Sequence, residues 1–223
     1  TDIVEISDKI YHLWQMEIAK FISEYYFSSF SEAISLFLPY NKTMQVDVKF
    51  IAIKKPTLTN MQKDAYASID KNKKSLLFGV TSSGKTEIFI SLISDMMEAG
   101  KASIFLMPEI SLTPQMEKRL KAYFGSSVAM WHSKLTKKKK ESILEGIESG
   151  EIRIVAGARS ALFVPLTNIG LIIVDEEHDD SYKAMTRPRY HARDVAVLMA
   201  DKIGAKLLLA SATPSISSYV KYH

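Results

Sequence analysis

From Thr57 onward the chain alternates between two patterns of apolar and polar residues. Short runs that are apolar at nearly every position fall at 75–79, 102–107, 127–131, 152–156, 170–174 and 206–210; Leu171-Ile172-Ile173-Val174 is the plainest. Between them lie longer stretches at 59–71, 85–98, 112–124, 136–148 and 191–202, where apolar residues recur at helical spacing. A strand without polar alternation is buried on both faces, which predicts a parallel sheet covered by helices on either side. Helical crossovers between such strands are right-handed and build a doubly wound α/β layer. Before Thr57 the pattern differs. Ile10, Leu13, Trp14, Ile18, Phe21, Ile22 and Tyr25 share a wide helical stripe interrupted by Glu17. A second, shorter helix is expected from Ser31, as N-cap, to Leu38, ending at Pro39. This pair is too small to bury its own apolar face and must lean on the rest of the chain. Residues 41–56 form a connector, within which Gln45 to Ile53 alternates partly and is a candidate strand.

Composition narrows the function classes. Of 223 residues, 47% are hydrophobic and 24% charged, as in an ordinary globular domain with an appendage. There is no cysteine, which excludes disulfides and cysteine-zinc sites. His12, His132, His178, His191 and His223 lack metal-ligand spacing. No apolar run reaches about 18 residues, so no membrane span is expected, and the acidic, amphipathic start is no signal peptide. A soluble cytoplasmic location follows as the expectation. The net charge of +4 hints at a polyanionic partner. The abrupt start and stop suggest a fragment. Lys137 to Lys140 reads as a solvated helix face rather than a DNA contact.

The chemistry centres on Gly79-Val80-Thr81-Ser82-Ser83-Gly84-Lys85-Thr86, which fits the phosphate-binding loop G-x-x-x-x-G-K-[ST]. An apolar run leads in and a helical stretch leads out, as the motif requires. Glycines let the backbone fold tightly enough to aim N–H groups at phosphate oxygens, and the helix N-terminus adds partial positive charge. Gly79, Thr81, Ser82, Ser83 and Gly84 would form the cradle. Lys85 would reach the β- and γ-phosphates, and the Thr86 hydroxyl would hold Mg²⁺. The second anchor is Asp175-Glu176-Glu177-His178, delivered at the C-terminal end of the strand 170–174, where open α/β sheets bind ligands. Asp175 is expected to hold Mg²⁺ through its water shell, and Glu176 to orient the attacking water. Gln62, before the first strand of the alternating region, is placed to read an adenine edge, with a plain helix-start glutamine as the competing reading.

Asp175-Glu176-Glu177-His178 also fits the D-E-x-H signature of superfamily 2 helicases and translocases. Ser211-Ala212-Thr213 resembles the S-A-T motif by which they couple the triphosphate state to nucleic-acid binding, with His178, Ser211 and Thr213 as coupling residues. Met107 to Gln115, Trp131-His132-Ser133, Gly157 to Phe163, Asp175 to Lys183, Arg189 to Asp194 and Ser211 to Pro214 resemble, in order, motifs of the primosomal replication-restart DNA helicases, the PriA family. The resemblance is dense over 57–223 and weak over Trp14 to Pro39. It implies that 57–223 is the first RecA-like lobe of a P-loop ATPase and that 1–40 is a helical remnant following that family's 3′-DNA-end-binding domain.

The resemblance further implies ATP-dependent 3′-to-5′ unwinding at stalled or repaired forks. It implies ATP and Mg²⁺ as cofactors, zinc elsewhere in the parent family, and DNA, primosome proteins and single-strand-binding protein as partners. Arg159, Ser160 and Thr113 would contact DNA, as would Tyr190 and Arg193, with Tyr182 and Tyr190 stacking on bases. Two departures are Ala158, where the family more often has threonine, and Ser82, where glycine is commoner and a positive φ would be strained. Another superfamily 2 translocase, such as a recombination or restriction motor, and a non-catalytic DNA- or partner-binding module remain as alternatives.

Overall fold

The computed structural model describes residues 8–41, 54–71, 73–80 and 83–222. The chain opens with a two-residue strand β1 (Lys9–Ile10), helices α1 (Leu13–Tyr25) and α2 (Phe30–Ile34), and strand β2 (Tyr40–Asn41), which pairs antiparallel with β1. The alternating region follows as α3 (Asn60–Lys71), β3 (Lys74–Phe78), α4 (Lys85–Glu98), β4 (Ala102–Leu106), α5 (Pro114–Phe124) and β5 (Val128–Trp131). It continues with α6 (Lys137–Glu148), β6 (Ile154–Gly157), β7 (Ile169–Val174), α7 (Ala192–Ile203), β8 (Lys206–Ser211) and α8 (Ile216–Tyr222). The expected boundaries differ from these by at most two residues in the sheet region. At α5 the shift has a local cause: Thr113 caps the helix through its side chain and Pro114 takes the first turn, where a missing N–H costs nothing.

β3, β8, β7, β4, β6 and β5, in that spatial order, form one sheet in which every pairing is parallel. Side chains alternate between its faces. Phe105, Leu171, Ile173, Leu208 and Ala210 point to the layer holding Ile88, Phe89 and Leu92 of α4 and Leu120 and Phe124 of α5. Ile104, Leu106, Ile172, Val174, Leu207 and Leu209 point the other way, to Ile143 and Ile147 of α6 and Val195 and Met199 of α7. This is the doubly wound α/β fold that the apolar runs predict.

The N-terminal helices extend the α6–α7 layer. Ile18, Ala19, Ile22, Ala33 and Phe37 belong to the same buried cluster as α7, and the Phe37 ring meets Phe163 edge-on at 4.8 Å. Gln15, fully buried, donates to the Leu38 carbonyl at 3.3 Å, and the Tyr40 hydroxyl donates to Leu166 O at 2.8 Å. The expected cap of the second helix is corrected. Ser29, not Ser31, caps it: its hydroxyl accepts from Glu32 N at 3.1 Å while the Glu32 carboxylate accepts from Ser29 N at 2.8 Å. That reciprocal box needs a glutamate three residues on, which Ser29 has and Ser31 lacks. The helix ends at Ile34, ahead of Pro39. The candidate strand at Gln45 to Ile53 lies outside the described residues.

Candidate active site

The phosphate-binding loop bridges β3 and α4. Gly84 is the N-cap of α4 with φ 80°, a left-handed backbone that favours glycine, and a Cβ there would displace the Gln62 amide. Lys85, only 8% exposed, donates from Nζ to the Gly79 carbonyl at 2.8 Å and lies 3.3 Å from Glu176 Oε1. Ser83 N donates to Val80 O at 3.2 Å. Thr86, half-buried, sits in the first turn of α4. Thr81 and Ser82 lie outside the described residues.

Gln62 takes up the helix-start position that the competing reading gave it. Its side-chain oxygen accepts from Thr59 N at 2.8 Å, and the Thr59 hydroxyl accepts from Gln62 N at 3.3 Å. Together they form a capping box at the start of α3. One of the two amide N–H groups donates to Gly84 O at 3.0 Å. The amide thus ties the start of α3 to the phosphate-binding loop and keeps a second N–H and a second lone pair.

β8 lies between β3 and β7, so the Ser-Ala-Thr segment sits between the phosphate-binding loop and the acidic box. Gly79 N donates to Ser211 O at 3.1 Å on one side, and Glu177 N donates to Ala210 O at 3.0 Å on the other. Asp175 N reaches back to Leu106 O at 2.9 Å. Glu176 then turns into the left-handed region, φ 45°, which is uncommon and costly for a residue with a Cβ. The turn brings Glu176 Oε1 toward Lys85 and lets Oε2 accept from Ala212 N at 3.3 Å. Burial and the neighbouring Glu176 charge push the Asp175 carboxyl up to about 6, with Lys85 pulling the other way. His178 Nδ1 lies 2.7 Å from Ser211 Oγ and its Nε2 lies 3.2 Å from Thr213 Oγ1. Thr213 N donates to Ser211 Oγ at 2.9 Å, closing a ring of coupling residues.

Residues read as facing DNA divide into two groups. Thr113 is exposed and Arg159 and Ser160 are half-buried. Arg159 Nη1 donates to the carbonyls of Ser181 at 2.8 Å and Lys183 at 3.1 Å, bracing the loop that follows the acidic box. Tyr182 and Tyr190 correct the stacking expectation: they are 1% and 5% exposed. The Tyr182 hydroxyl donates to Asp175 O at 2.6 Å, and the Tyr190 ring meets Phe163 edge-on at 5.2 Å. Burial raises the Tyr190 hydroxyl to about 12. Arg193 is 17% exposed and ion-paired. Its guanidinium is shared between Glu177 at 2.9 Å, Asp194 at 3.0 Å and Ser215 Oγ at 3.0 Å. The sequence reading passed over Glu177, Ser215 and Ser218. The serine-rich run after Thr213 and a third acid in the box were the available signals.

The donor set suits a magnesium ion. Thr86 and Asp175 offer oxygen ligands, and Mg²⁺ typically takes one or two protein oxygens with phosphate oxygens and waters. A carboxyl raised by burial beside a second carboxylate is where a divalent cation relieves most repulsion.

A family model described as DEAD/DEAH box helicase matches residues 59–221. The chain belongs to the DEAD/DEAH box helicase family. It is 45% identical over 209 residues to replication restart protein PriA of Helicobacter pylori strain J99, covering 94% of this chain and 34% of that protein. It is 47% identical over 170 residues to replication restart protein PriA of Bacillus subtilis strain 168, covering 74% of this chain and 21% of that protein. The chain thus spans about a third or less of the curated relatives it matches. Among solved structures it is similar to RecG bound to a three-way DNA junction, with a TM-score of 0.54 and 29% identity over 75% of this chain and 22% of that one. Membership of the DEAD/DEAH box helicases implies use of ATP with Mg²⁺. The parallel sheet with helices on both faces is RecA-like. No helix among the described residues is long and apolar enough to cross a membrane.

Proposed function

We propose that this chain is the first RecA-like motor lobe of an ATP-dependent 3′-to-5′ DNA helicase acting in cytoplasmic replication restart. The observation that carries the reading is the 3.3 Å approach of Lys85 Nζ to Glu176 Oε1 at the phosphate-binding loop. Lys85 holds an anion there already, and a triphosphate entering the loop competes for it. Glu176, released from Lys85 but still held by Ala212 N–H, then orients the attacking water. Thr86 and Asp175 would hold Mg²⁺, which supplies charge neutralisation at the phosphates. His178, Ser211 and Thr213 pass the state of the site to the segment that follows β8.

Arg159, Ser160 and Thr113 supply phosphate-backbone contacts to single-stranded and forked DNA. Residues 1–40 are a helical piece joined by the connector 41–56 to the lobe 57–223. Primosome proteins and single-strand-binding protein are the partners of the whole protein, and its zinc lies outside this chain. The isolated chain is nearly inert, because an arginine from a second lobe is worth about 10³–10⁵ in rate.

The test is ATP turnover by the full-length protein with and without forked and single-stranded DNA. DNA-stimulated hydrolysis abolished by Lys85→Ala is expected. Hydrolysis indifferent to every DNA would overturn the assignment.

A further inference from the structure

Glu177 follows the water-orienting glutamate directly, yet the hydrolysis chemistry leaves it without a task. Its side chain is fully buried. It accepts from Ser215 N at 2.6 Å, the Ser215 hydroxyl at 3.2 Å, the Ser218 hydroxyl at 2.9 Å and Arg193 Nη1 at 2.9 Å. Burial pushes its carboxyl up, but these donors outweigh burial and hold it below the usual range. The donors come from separate elements. Ser215 and Ser218 belong to the start of α8, where Ser218 N also donates to Ser215 Oγ at 3.3 Å. Arg193 stands in the first turn of α7.

The apolar side chains of α8 lie largely in solvent. Ile216 and Val220 are 84% and 79% exposed. A cavity of about 340 Å³, lined by Arg193, Val197, Leu209, Ser218 and Lys221 among others, lies between α8 and α7. The polar hooks on Glu177 gather the first turn of α8 onto the end of the acidic box. The intervening residues, Ala212 to Pro214, are strung between adjacent carboxylates. Ala212 N donates to Glu176 Oε2 at 3.3 Å, and Ser215 N donates to Glu177 Oε1.

We propose that Glu177 is a positioning residue for ATP hydrolysis: by fixing Ser215 it holds the Ala212 N–H against Glu176, and so sets the direction of the water-orienting carboxylate. Arg193 extends the same tie to α7. The inference rests on the role given to Glu176 under Proposed function. Glu177 itself touches no reacting atom and exchanges no proton; it acts through the loop. A neighbour that misdirects a catalytic group lowers kcat and spares ground-state binding.

The experiment is steady-state ATP turnover and nucleotide titration on the full-length protein, with Glu177→Gln and the pair Ser215→Ala/Ser218→Ala. Glu177→Gln keeps the shape and one acceptor oxygen but loses the charge-assisted bonds. Its kcat is expected to fall at least about tenfold while KM for ATP and nucleotide affinity stay within about twofold. The serine pair keeps the carboxylate and the backbone donor and is expected to lose about threefold in kcat. Melting midpoints place each assay well below unfolding. A Glu177→Gln protein that melts earlier but turns over like the wild type would show a merely structural residue and overturn the proposal. Should Glu177→Gln fail to fold, an unchanged kcat in the serine pair overturns it equally. Lys85→Ala separates the layers: if it hydrolyses ATP like the wild type, the nucleotide site is misread and this inference falls with it. If Lys85→Ala is dead while both Glu177 and serine variants are normal, only the positioning role is lost.

Discussion

Glu176 and Tyr190 stand 14 positions apart in the sequence, at either end of the segment joining β7 to α7, and they meet opposite fates. Around Glu176 the polar groups are only partly satisfied: its carboxylate keeps 26% of its exposure, faces Lys85 at 3.3 Å and rides on a left-handed backbone. Around Tyr190, Met185 and Arg187 face solvent while the two tyrosines are turned inward. Tyr182 donates to a backbone carbonyl, Tyr190 packs on Phe163, and Arg193 is spent on Glu177 and Asp194. A group that must exchange partners with a ligand keeps spare capacity and tolerates strain. A group whose hydrogen bonds are all made inside the chain contributes to the fold instead. Substitutions should therefore cost chemistry in the first region and stability in the second.

The largest effect expected is on Glu176. Glu176→Gln in the full-length protein should lower turnover by about 10²–10⁴ while leaving nucleotide affinity intact, because only water activation is removed. Turnover within about threefold of wild type would show that the strained carboxylate is not the water-orienting group. Tyr190→Ala probes the other side. It should cost about 3 kcal/mol or more in chemical denaturation, the usual penalty for removing a buried ring. If the midpoint stays put and only single-strand affinity drops, the ring does reach DNA and the contrast collapses.

Lys85→Ala sharpens the comparison on a smaller scale. Triphosphate binding should weaken at least about tenfold by calorimetric titration, with equal affinities counting against the phosphate site.

The smallest effect concerns Asp175, whose carboxyl is raised from its ordinary value to about 6, chiefly by burial. A raised acid favours the folded state while protonated, and that advantage is lost as pH climbs through its folded value. Asp175→Asn, lacking the ionised form, should raise the melting temperature of the nucleotide-free protein at pH 8. The gain should shrink as pH falls through 6 and vanish near pH 4. A gain independent of pH would mean that Asp175 is not a stressed carboxylate.

Much of the sheet was readable in advance because its signals are local. An all-apolar run such as Leu171 to Val174 has few places to go but a doubly covered strand. Thr113-Pro114 and Ser29 with Glu32 mark helix starts within four residues. Ser31 is not the cap because the residue three positions on is Ile34, which cannot return the bond that Glu32 gives Ser29. Gln62 shows the division within one side chain: its bond to Thr59 is three residues away, while its bond to Gly84 crosses the loop. Tyr182, Tyr190 and Arg193 could not be judged at all from their neighbours in sequence. An aromatic, arginine-rich loop has one composition whether it faces solvent or the core.

What the sequence determined alone was the order of strands and helices, the glycine at the mouth of α4, and the delivery of Asp175 and Glu176 to a strand end. Each depends on periodicity or on a backbone conformation open to few residue types, and both act over a few positions. The tertiary structure decided which strands became neighbours, and with that which polar groups met. Placing β8 between β3 and β7 put Ser211 beside His178, Ala212 beside Glu176, and Ser215 on Glu177, partners 33, 36 and 38 positions apart. It also left Tyr190 against Phe163 rather than in water. Hydrogen bonds and burial of that kind are worth energy only once distant segments are already in contact, so no local pattern can announce them.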